Sequence, residues 1–222
     1  MNKTTWYEAL PEVWIATLET LYMVGVSFVL TVVGGVAVGI VLQVTSPSGL
    51  RPMRALNTVL GVIVNLFRSL PFLILLIALI GVTRFIVGTA IGPTAAIVPL
   101  TIGAVPFFAR IVESALREVP RGRVEAAQVM GATDGQIVRK VLVPEATTAL
   151  VAGATLTLVL LVGYSAMAGV IGAGGLGDFA LVYGYQRFNT PVLLVAVVVL
   201  IIMVQIMQSA GDAIIRRLAH RR

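Results

Sequence analysis

The chain has 222 residues, of which 58% are hydrophobic and 12% charged, and its mean hydropathy is +1.00. This composition excludes an ordinary soluble domain and indicates helices that cross a membrane. The sequence has no cysteine, which excludes disulfides, cysteine metal sites and thiol catalysis. The net charge of +6 comes from basic residues spread between apolar runs, so it favours membrane topology over nucleic-acid binding.

Five apolar segments are long enough to cross a bilayer as helices. They cover approximately residues 21–42, 56–80, 92–111, 147–169 and 191–207. Open strands are excluded, because lipid would leave their edge amides without hydrogen-bond partners. We therefore expect an all-α integral membrane protein with five transmembrane helices, forming one domain over residues 1–222.

The basic residues predict the orientation of these helices. One side of the membrane would carry two arginines after the first span, six basic residues around the connection between spans three and four, and four arginines at the C-terminus (Arg51, Arg54; Arg110, Arg117, Arg121, Arg123, Arg139, Lys140; Arg216, Arg217, Arg221, Arg222). The other side would carry only Lys3, Arg84 and Arg187. The positive-inside rule then places the N-terminus outside, the C-terminus in the cytoplasm, and the long third connection in the cytoplasm.

Two glycine patterns have different interpretations. Gly35 and Gly39 form a GxxxG in the first span, which predicts close helix packing. Residues 172–177 match G-x-G-x-x-G, but a dinucleotide site needs that pattern between a strand and a helix, with an acidic residue about 20 positions later. This segment follows a membrane span, and no acidic residue lies between Asp178 and Asp212. A flexible re-entrant segment or loop is the expectation here.

The chain lacks the signatures of an enzyme. Its two lysines, Lys3 and Lys140, fit no phosphate-binding loop, and His220 stands among arginines with no nucleophile nearby in sequence. We expect no catalytic residue, no metal site and no cofactor. If the protein moves a solute uphill, the energy must come from a partner or from an ion gradient.

The third connection predicts a helical loop. Pro120 ends the preceding helix, and residues 125–130 form a short helix with an alanine-rich face. Gly131 permits a sharp turn, after which Thr133 and Gln136 have the spacing of a capping box that starts a new helix. Pro144 is expected to end that second short helix and to lead into the fourth span.

The side chains of this loop suggest docking. Ile137, Val138, Val141 and Leu142 lie at spacings that place an apolar stripe on one helix face, and the small Ala126 and Ala127 would let the backbone enter a groove on another protein. The alternative is an amphipathic loop that lies on the inner leaflet, helped by its arginines. The residues alone leave both interpretations open.

A family resemblance favours docking. Glu125-Ala126-Ala127, with Gly131 six residues after the Glu and Pro144 thirteen after the Gly, resembles the coupling loop of bacterial ABC-importer permeases. Residues 65–72, 95–101 and 163–177 resemble the methionine-uptake branch of that family. Val141 and Val143 stand where isoleucine and leucine are usual, and both changes keep the site apolar. The resemblance implies a coupling loop over residues 120–144, with Glu125, Ala126, Ala127, Gly131 and Pro144 as its site residues.

The resemblance also implies partners and a function. Two copies of the chain would pair around one pathway in the bacterial cytoplasmic membrane, with two ATPase subunits below and an extracytoplasmic methionine-binding protein above. ATP and Mg would bind the ATPase, and methionine in L- and D-forms would be the substrate. Another amino acid or small organic solute remains an alternative. An ion-coupled secondary transporter, a passive channel and a structural subunit are further ones, although spans two to five carry no deep acidic residue of the kind that couples ions.

Four residues are candidates for the pathway or its gate. Arg68 would lie ~18 Å along the second helix, where an unpaired charge costs at least about 2.5–3.5 kcal/mol. It would either face the protein interior or water near Asn65, or be an interfacial arginine on an extended helix. Tyr164, Ser165 and Met167 cluster in the outer half of the fourth span. Core packing would explain them, whereas the resemblance favours a pathway lining with Met167 as the gate.

Overall fold

The computed structural model describes residues 7–219, and this range contains helices and no β-strand. Lys3, His220, Arg221 and Arg222, which entered the orientation and enzyme arguments, lie outside the described residues. The helices are, in chain order, α1 (Leu10–Thr45), α2 (Arg54–Ser69), α3 (Phe72–Ala78), α4 (Ile80–Val87), α5 (Pro93–Arg117), α6 (Arg121–Val129), α7 (Asp134–Ile137), α8 (Val143–Gly169), α9 (Gly175–Phe179) and α10 (Thr190–Ala219). Two π-helical segments, Val138–Leu142 and Ala180–Tyr185, follow α7 and α9.

Four helical stretches within the described residues are long and apolar enough to cross a membrane. They are Leu10–Thr45, Pro93–Arg117, Asp134–Gly169 and Thr190–Leu218. All four extend beyond the apolar runs in the sequence, because a helix does not have to stop where the hydrocarbon stops. The all-α membrane fold predicted from the sequence is confirmed by these helices.

The second predicted span is a bent pair and not one continuous helix. Helices α2 and α3 meet at an angle of 106°. The break has a local cause, since Pro71 has no N–H to donate and disfavours a helical conformation at the preceding Leu70, whose backbone is extended (φ −80°, ψ 130°). The expectation of a span over residues 56–80 is therefore corrected to a helix of 16 residues and a helix of 7 residues, followed by α4.

Helices α1 and α5 pack closely through the predicted GxxxG. A Cβ atom on Gly35 would lie 2.7 Å from Cδ1 of Phe108, and one on Gly39 would lie 2.6 Å from the carbonyl oxygen of Ala109. Real Cβ atoms do not approach that closely, so only glycine fits at these two positions. The packing role predicted for this motif is confirmed.

Two apolar cores lie along this helix pair. One joins α1, α3, α5, α8, α9 and α10, and its centre includes the fully buried Met23, Leu100, Leu161 and Leu176. The other lies at the end of the bundle where α1 and α5 terminate and joins them to α6, α7 and the start of α8. The second core fixes the predicted coupling loop to the bundle.

The glycine-rich segment at the opposite end is packed and not loose. A Cβ on Gly169 would lie 2.3 Å from the amide nitrogen of Asp178, so α8 and α9 are in backbone contact. The amides of Gly175 and Leu176 donate to Oε2 of Glu19 (2.7 Å) and Oγ1 of Thr20 (2.9 Å) on α1. The expectation of a flexible segment is corrected to a tight turn and a short helix held against α1 and α8.

Candidate coupling loop and pathway residues

The loop between α5 and α8 begins with the helix break predicted at Pro120. Helix α5 ends at Arg117, and Pro120 has the extended backbone (φ −56°, ψ 126°) that precedes α6. Proline is well suited to this place, because its fixed φ matches the start of a helix. Helix α6 covers Arg121–Val129, so it starts four residues before the predicted Glu125.

The turn after α6 has the predicted geometry. Gly131 has φ +78°, a left-handed conformation that a side chain disfavours. The capping box at Thr133 is complete, since its hydroxyl accepts from the amide of Gln136 (3.4 Å) and Oε1 of Gln136 accepts from the amide of Thr133 (2.9 Å). These local signals predicted both the turn and the start of the next helix correctly.

Pro144 does not end the second loop helix, and the expectation that it would is wrong. The chain is continuously helical from Asp134 to Gly169, through the π-helical turn Val138–Leu142 that directly precedes α8. A proline inside an α-helix removes one backbone hydrogen bond and clashes with the preceding turn. The wider π-helical turn next to Pro144 accommodates this change, so one helix leads from the loop into the fourth span.

The apolar stripe of the loop packs into the second core. Ile137 and Leu142 are buried, and Val138 and Val141 are partly buried against them, as predicted. Ala127 lies in the same core and is 5% exposed. The expectation that Ala126 and Ala127 both face another protein is therefore corrected for Ala127, which faces its own bundle. Ala126, Glu125, Gly131 and Pro144 are exposed.

The tip of the loop carries two exposed apolar side chains that the sequence argument missed. Val129 is 89% exposed and Met130 is 80% exposed. The same loop carries exposed basic residues (Arg121, Arg123, Arg139, Lys140). Apolar side chains at the tip of a charged loop indicate a contact with another protein, and methionine adapts well to such surfaces. In the sequence, this exposed pair was indicated by its position between the alanine-rich part of α6 and Gly131, which has a left-handed backbone conformation.

Two partly exposed ion pairs connect the loop to neighbouring parts of the bundle. Arg51, in the connection after α1, pairs with Asp134 at the start of α7, and Arg123 of α6 pairs with Glu145 of α8. A cavity of about 250 Å³ separates α6 from the end of α1 and its connection, and Glu125 and Arg117 are among its lining residues. Each of the two loop helices, α6 and α7, thus has one ion pair to a neighbouring element, and Glu125 stays exposed.

The candidate pathway residues of α8 occupy different environments. The ring of Tyr164 stacks on Phe72 of α3, with centroids 4.0 Å apart and planes 6° apart. Met167 is 40% exposed on the surface of the single chain. Ser165 is 2% exposed, and its hydroxyl donates to the carbonyl oxygen of Val162 in its own helix. The expectation that Ser165 lines a pathway is corrected, because its side chain lies inside the bundle.

Arg68 is not hydrogen-bonded to Asn65 in the described residues. Arg68 is exposed in the last turn of α2, immediately before the break. Oδ1 of Asn65 instead accepts a hydrogen bond from Nη2 of Arg110 on α5 (3.0 Å). Arg68 is thus not buried inside the single chain, and both a position facing water and an interfacial position stay predictions.

Comparisons with known proteins agree with this arrangement. Residues 35–222 match the family of the binding-protein-dependent transport system inner membrane component. The chain is 56% identical to a probable D-methionine transport system permease protein, MetI, of Vibrio cholerae, over 93% of this chain and 92% of that protein. It is 51% identical to the methionine import system permease protein MetP of Bacillus subtilis, over 92% of each chain.

A solved structure of the MetNI methionine ABC transporter in an inward-facing conformation contains a chain of the same fold. The TM-score is 0.91 at 50% sequence identity, and the match covers 98% of this chain and 99% of that chain. The family model, the relatives and the solved structure thus all identify the chain as a membrane subunit of a transporter. The long apolar helices agree with this identification. This chain belongs to the family of binding-protein-dependent transport system inner membrane components, the non-catalytic membrane-spanning subunits of such transporters.

Proposed function

We propose that this chain is the permease subunit of an ABC importer for methionine, in both L- and D-forms. The observation that carries the proposal is the continuous helix Asp134–Gly169, which starts in the exposed loop and includes Met167. At a rise of 1.5 Å per residue it spans roughly 50 Å from Asp134 to Met167. A force applied to the loop therefore reaches the far end of the fourth span through one continuous helix, with no loop in between. The methionine relatives supply the substrate.

The loop supports docking onto an ATPase subunit. Val129 and Met130 would enter a groove of that subunit, and burial of exposed apolar area is worth about 25 cal/mol per Å². Ala126 permits close approach of α6, and Glu125 remains free for a polar contact. ATP and Mg bind the ATPase in this proposal, and this chain supplies no cofactor site and no catalytic group. A homodimeric permease would take two ATPase subunits.

The other parts of the proposal concern the assembly in the membrane. The N-terminus lies outside, the C-terminus and loop lie in the cytoplasm, and an extracytoplasmic binding protein delivers methionine at the end that carries α9. A second copy of the chain pairs with this one around the pathway. Arg68 and Tyr164 border that pathway, and the exposed Met167 meets its copy as a flexible gate.

The substrate and energy source are tested together by reconstitution. The chain is purified with its ATPase subunit, placed in proteoliposomes, and supplied with the binding protein. We expect ATP-dependent uptake of L-methionine and of D-methionine, and no uptake when only an ion gradient is applied. Uptake driven by the gradient alone would indicate a secondary transporter, and uptake of a different amino acid or solute would replace methionine as the substrate.

The docking role of the loop is tested by one pair of glycine substitutions. Gly131 and Gly135 both have open space where a Cβ atom would stand, but only Gly131 has a positive φ. Gly131→Val should abolish ATPase association and uptake while the permease remains in the membrane, because a β-branched residue resists that backbone conformation. Gly135→Val is the matched control and should retain both. Equal behaviour of the two variants would contradict the proposal.

The gate is tested by crosslinking and by leakage. In a permease without other cysteines, Met167→Cys should crosslink to its twin in the resting complex. Met167→Ala should leave the complex assembled but raise ATP hydrolysis in the absence of binding protein. A variant that neither crosslinks nor leaks would show that Met167 is ordinary packing.

A further inference from the structure

Helix α2 is attached to the bundle almost without an apolar core. Val64 is the one buried residue among its 16 residues. Asn57, Gly61 and Asn65 follow one another at intervals of four, so they form a row along one helix face. This row carries the polar contacts that the described structure gives α2 with α1 and α5. The position of α2 therefore depends on a small number of directional hydrogen bonds.

Arg110 of α5 makes the contacts at the centre of that row. Its Nη2 atom donates to the carbonyl oxygen of Gly61 (3.1 Å) and to Oδ1 of Asn65 (3.0 Å). Its Nη1 atom donates to Oε2 of Glu113 on its own helix (2.6 Å). The planar guanidinium reaches both helices at once through fixed donors, which a lysine ammonium does not reproduce.

Glu113 links this contact to the end of α5. Its carboxylate is buried, with the side chain 6% exposed, and its two oxygens accept from Arg110 and Arg117. A buried carboxylate requires such partners, so the three side chains act as one unit. Arg117 is the last residue of α5, and α6 begins at Arg121. A chain of charged hydrogen bonds thus runs along α5 from its last residue, just before the coupling loop, to α2.

We propose that Arg110 is a positioning residue for α2. When the coupling loop moves α5, the hydrogen bonds of Arg110 to Gly61 and Asn65 move α2 with it. This inference rests on the proposed function, because it assigns a role in coupling ATP hydrolysis to the pathway. Helix α2 leads directly into the break at Leu70, after which Phe72 stacks on Tyr164 of α8. The loop then acts on the pathway by two routes, directly through α8 and through Arg110, α2 and α3.

The principal test compares two arginine-to-lysine substitutions. Arg110→Lys keeps the charge beside Glu113 but loses the simultaneous reach to Gly61 and Asn65. Arg54→Lys makes the same chemical change at an exposed position of α2 and is the matched control. In proteoliposomes, Arg110→Lys should retain assembly and ATP hydrolysis while methionine uptake per ATP falls about tenfold, a loss within the range of allosteric couplings. Arg54→Lys should keep the wild-type ratio.

Two results would overturn the inference. One is an unchanged ratio of uptake to hydrolysis in Arg110→Lys. The other is a parallel loss of uptake, hydrolysis and assembly, because it would show that Arg110 serves stability alone.

A second variant tests the partner of Arg110. Asn65→Ala removes the Oδ1 acceptor, and the double variant with Arg110→Lys should lose no more than Arg110→Lys alone, since both act through one contact. If the two losses multiply instead, Asn65 and Arg110 act independently, and the inference is overturned.

A measurement without substrate separates this inference from the choice of methionine. A spin label is attached at Leu66→Cys, whose parent side chain is 59% exposed on α2. Its spectrum should differ between the nucleotide-free complex and the complex trapped with ATP and vanadate, and Arg110→Lys should abolish that difference. A difference that persists in Arg110→Lys would overturn the inference even if methionine uptake is normal. If methionine uptake is absent while the nucleotide-dependent difference is present in the wild type and lost in Arg110→Lys, the substrate is rejected and the inference is supported.

Discussion

Helices α1 and α2 are both attached to α5, but by different kinds of contact. Gly35 and Gly39 bring α1 into van der Waals contact with the backbone of α5, so that attachment depends on shape. Helix α2 buries one residue and is held by Arg110 and Asn57, so its attachment depends on polar groups. A close-packed interface resists displacement along its whole length. A polar contact is lost with a single side chain, so the position of α2 should respond to substitution of either Arg110 or Asn57.

A substitution at the close-packed interface between α1 and α5 should reduce the stability of the protein most. Gly39→Ala places a Cβ 2.6 Å from the carbonyl oxygen of Ala109, and such overpacking costs about 1–3 kcal/mol. We expect a lower melting temperature in detergent and less protein in the membrane. Gly25→Ala in the same helix meets no atom within 4 Å and should be neutral or slightly stabilising. If the two variants melt alike, α1 and α5 are not close-packed.

The polar attachment should show an intermediate effect. The Nδ2 atom of Asn57 donates to the carbonyl oxygen of Leu42 (2.7 Å) and to Oγ1 of Thr45 (3.2 Å), and so satisfies the last turn of α1. Asn57→Ala should destabilise the protein by about 0.5–1.5 kcal/mol, the net contribution of one typical hydrogen bond, because the Thr45 hydroxyl keeps its bond to Val41. The matched control is Thr58→Ala, at an exposed neighbouring position. Equal melting temperatures would mean that Asn57 does not hold α2.

Helix α9 is attached both by close packing and by hydrogen bonds, and a substitution in it should change the stability of the protein least. Burial raises the pKa of Asp178, and the charge of Glu19 raises it further. A carboxyl with a raised pKa in the folded state makes folding less favourable as the pH rises above its ordinary value of 3.8. Asp178→Asn should therefore raise the melting temperature slightly at pH 7.

The pH dependence distinguishes this explanation from a general effect of the substitution. The stabilisation by Asp178→Asn should shrink as the pH falls through the raised pKa and vanish below the ordinary value of 3.8, where Asp178 is neutral in both states. A gain that is independent of pH would show that the charge of Asp178 is not its cause.

The parts of the structure that the sequence predicted correctly rest on local signals. Apolar runs predicted the spans, because backbone groups in lipid must be satisfied within a helix. The capping box at Thr133 and the turn at Gly131 were correct, because each depends on residues within one turn of the chain. The sequence predicted one span over residues 56–80, whereas the bend of 106° at Pro71 depends on how α3 packs against α5 and α8.

The errors concern side-chain partners that are distant in sequence. Asn65 pairs with Arg110, 45 residues away, and spacing along one helix could not show this. Ala127 faces its own bundle because the second core forms only when α1, α5 and α8 assemble around α6. Pro144 continues the helix because a π-helical turn precedes it, and the sequence has no simple signal for such a turn. The exposed tip at Met130 likewise became evident only once its neighbours were placed.

Distances between spin labels test most directly whether α2 is held against α5 by polar contacts and α1 by close packing. Labels at Ser114 on α5 and Val62 on α2 report one attachment, and labels at Ser114 and Val33 on α1 report the other. They are measured in complexes with a single labelled permease copy. We predict that Arg110→Lys broadens the distance distribution between positions 114 and 62 and leaves that between 114 and 33 unchanged. Two unchanged distributions, or two that broaden together, would contradict the account.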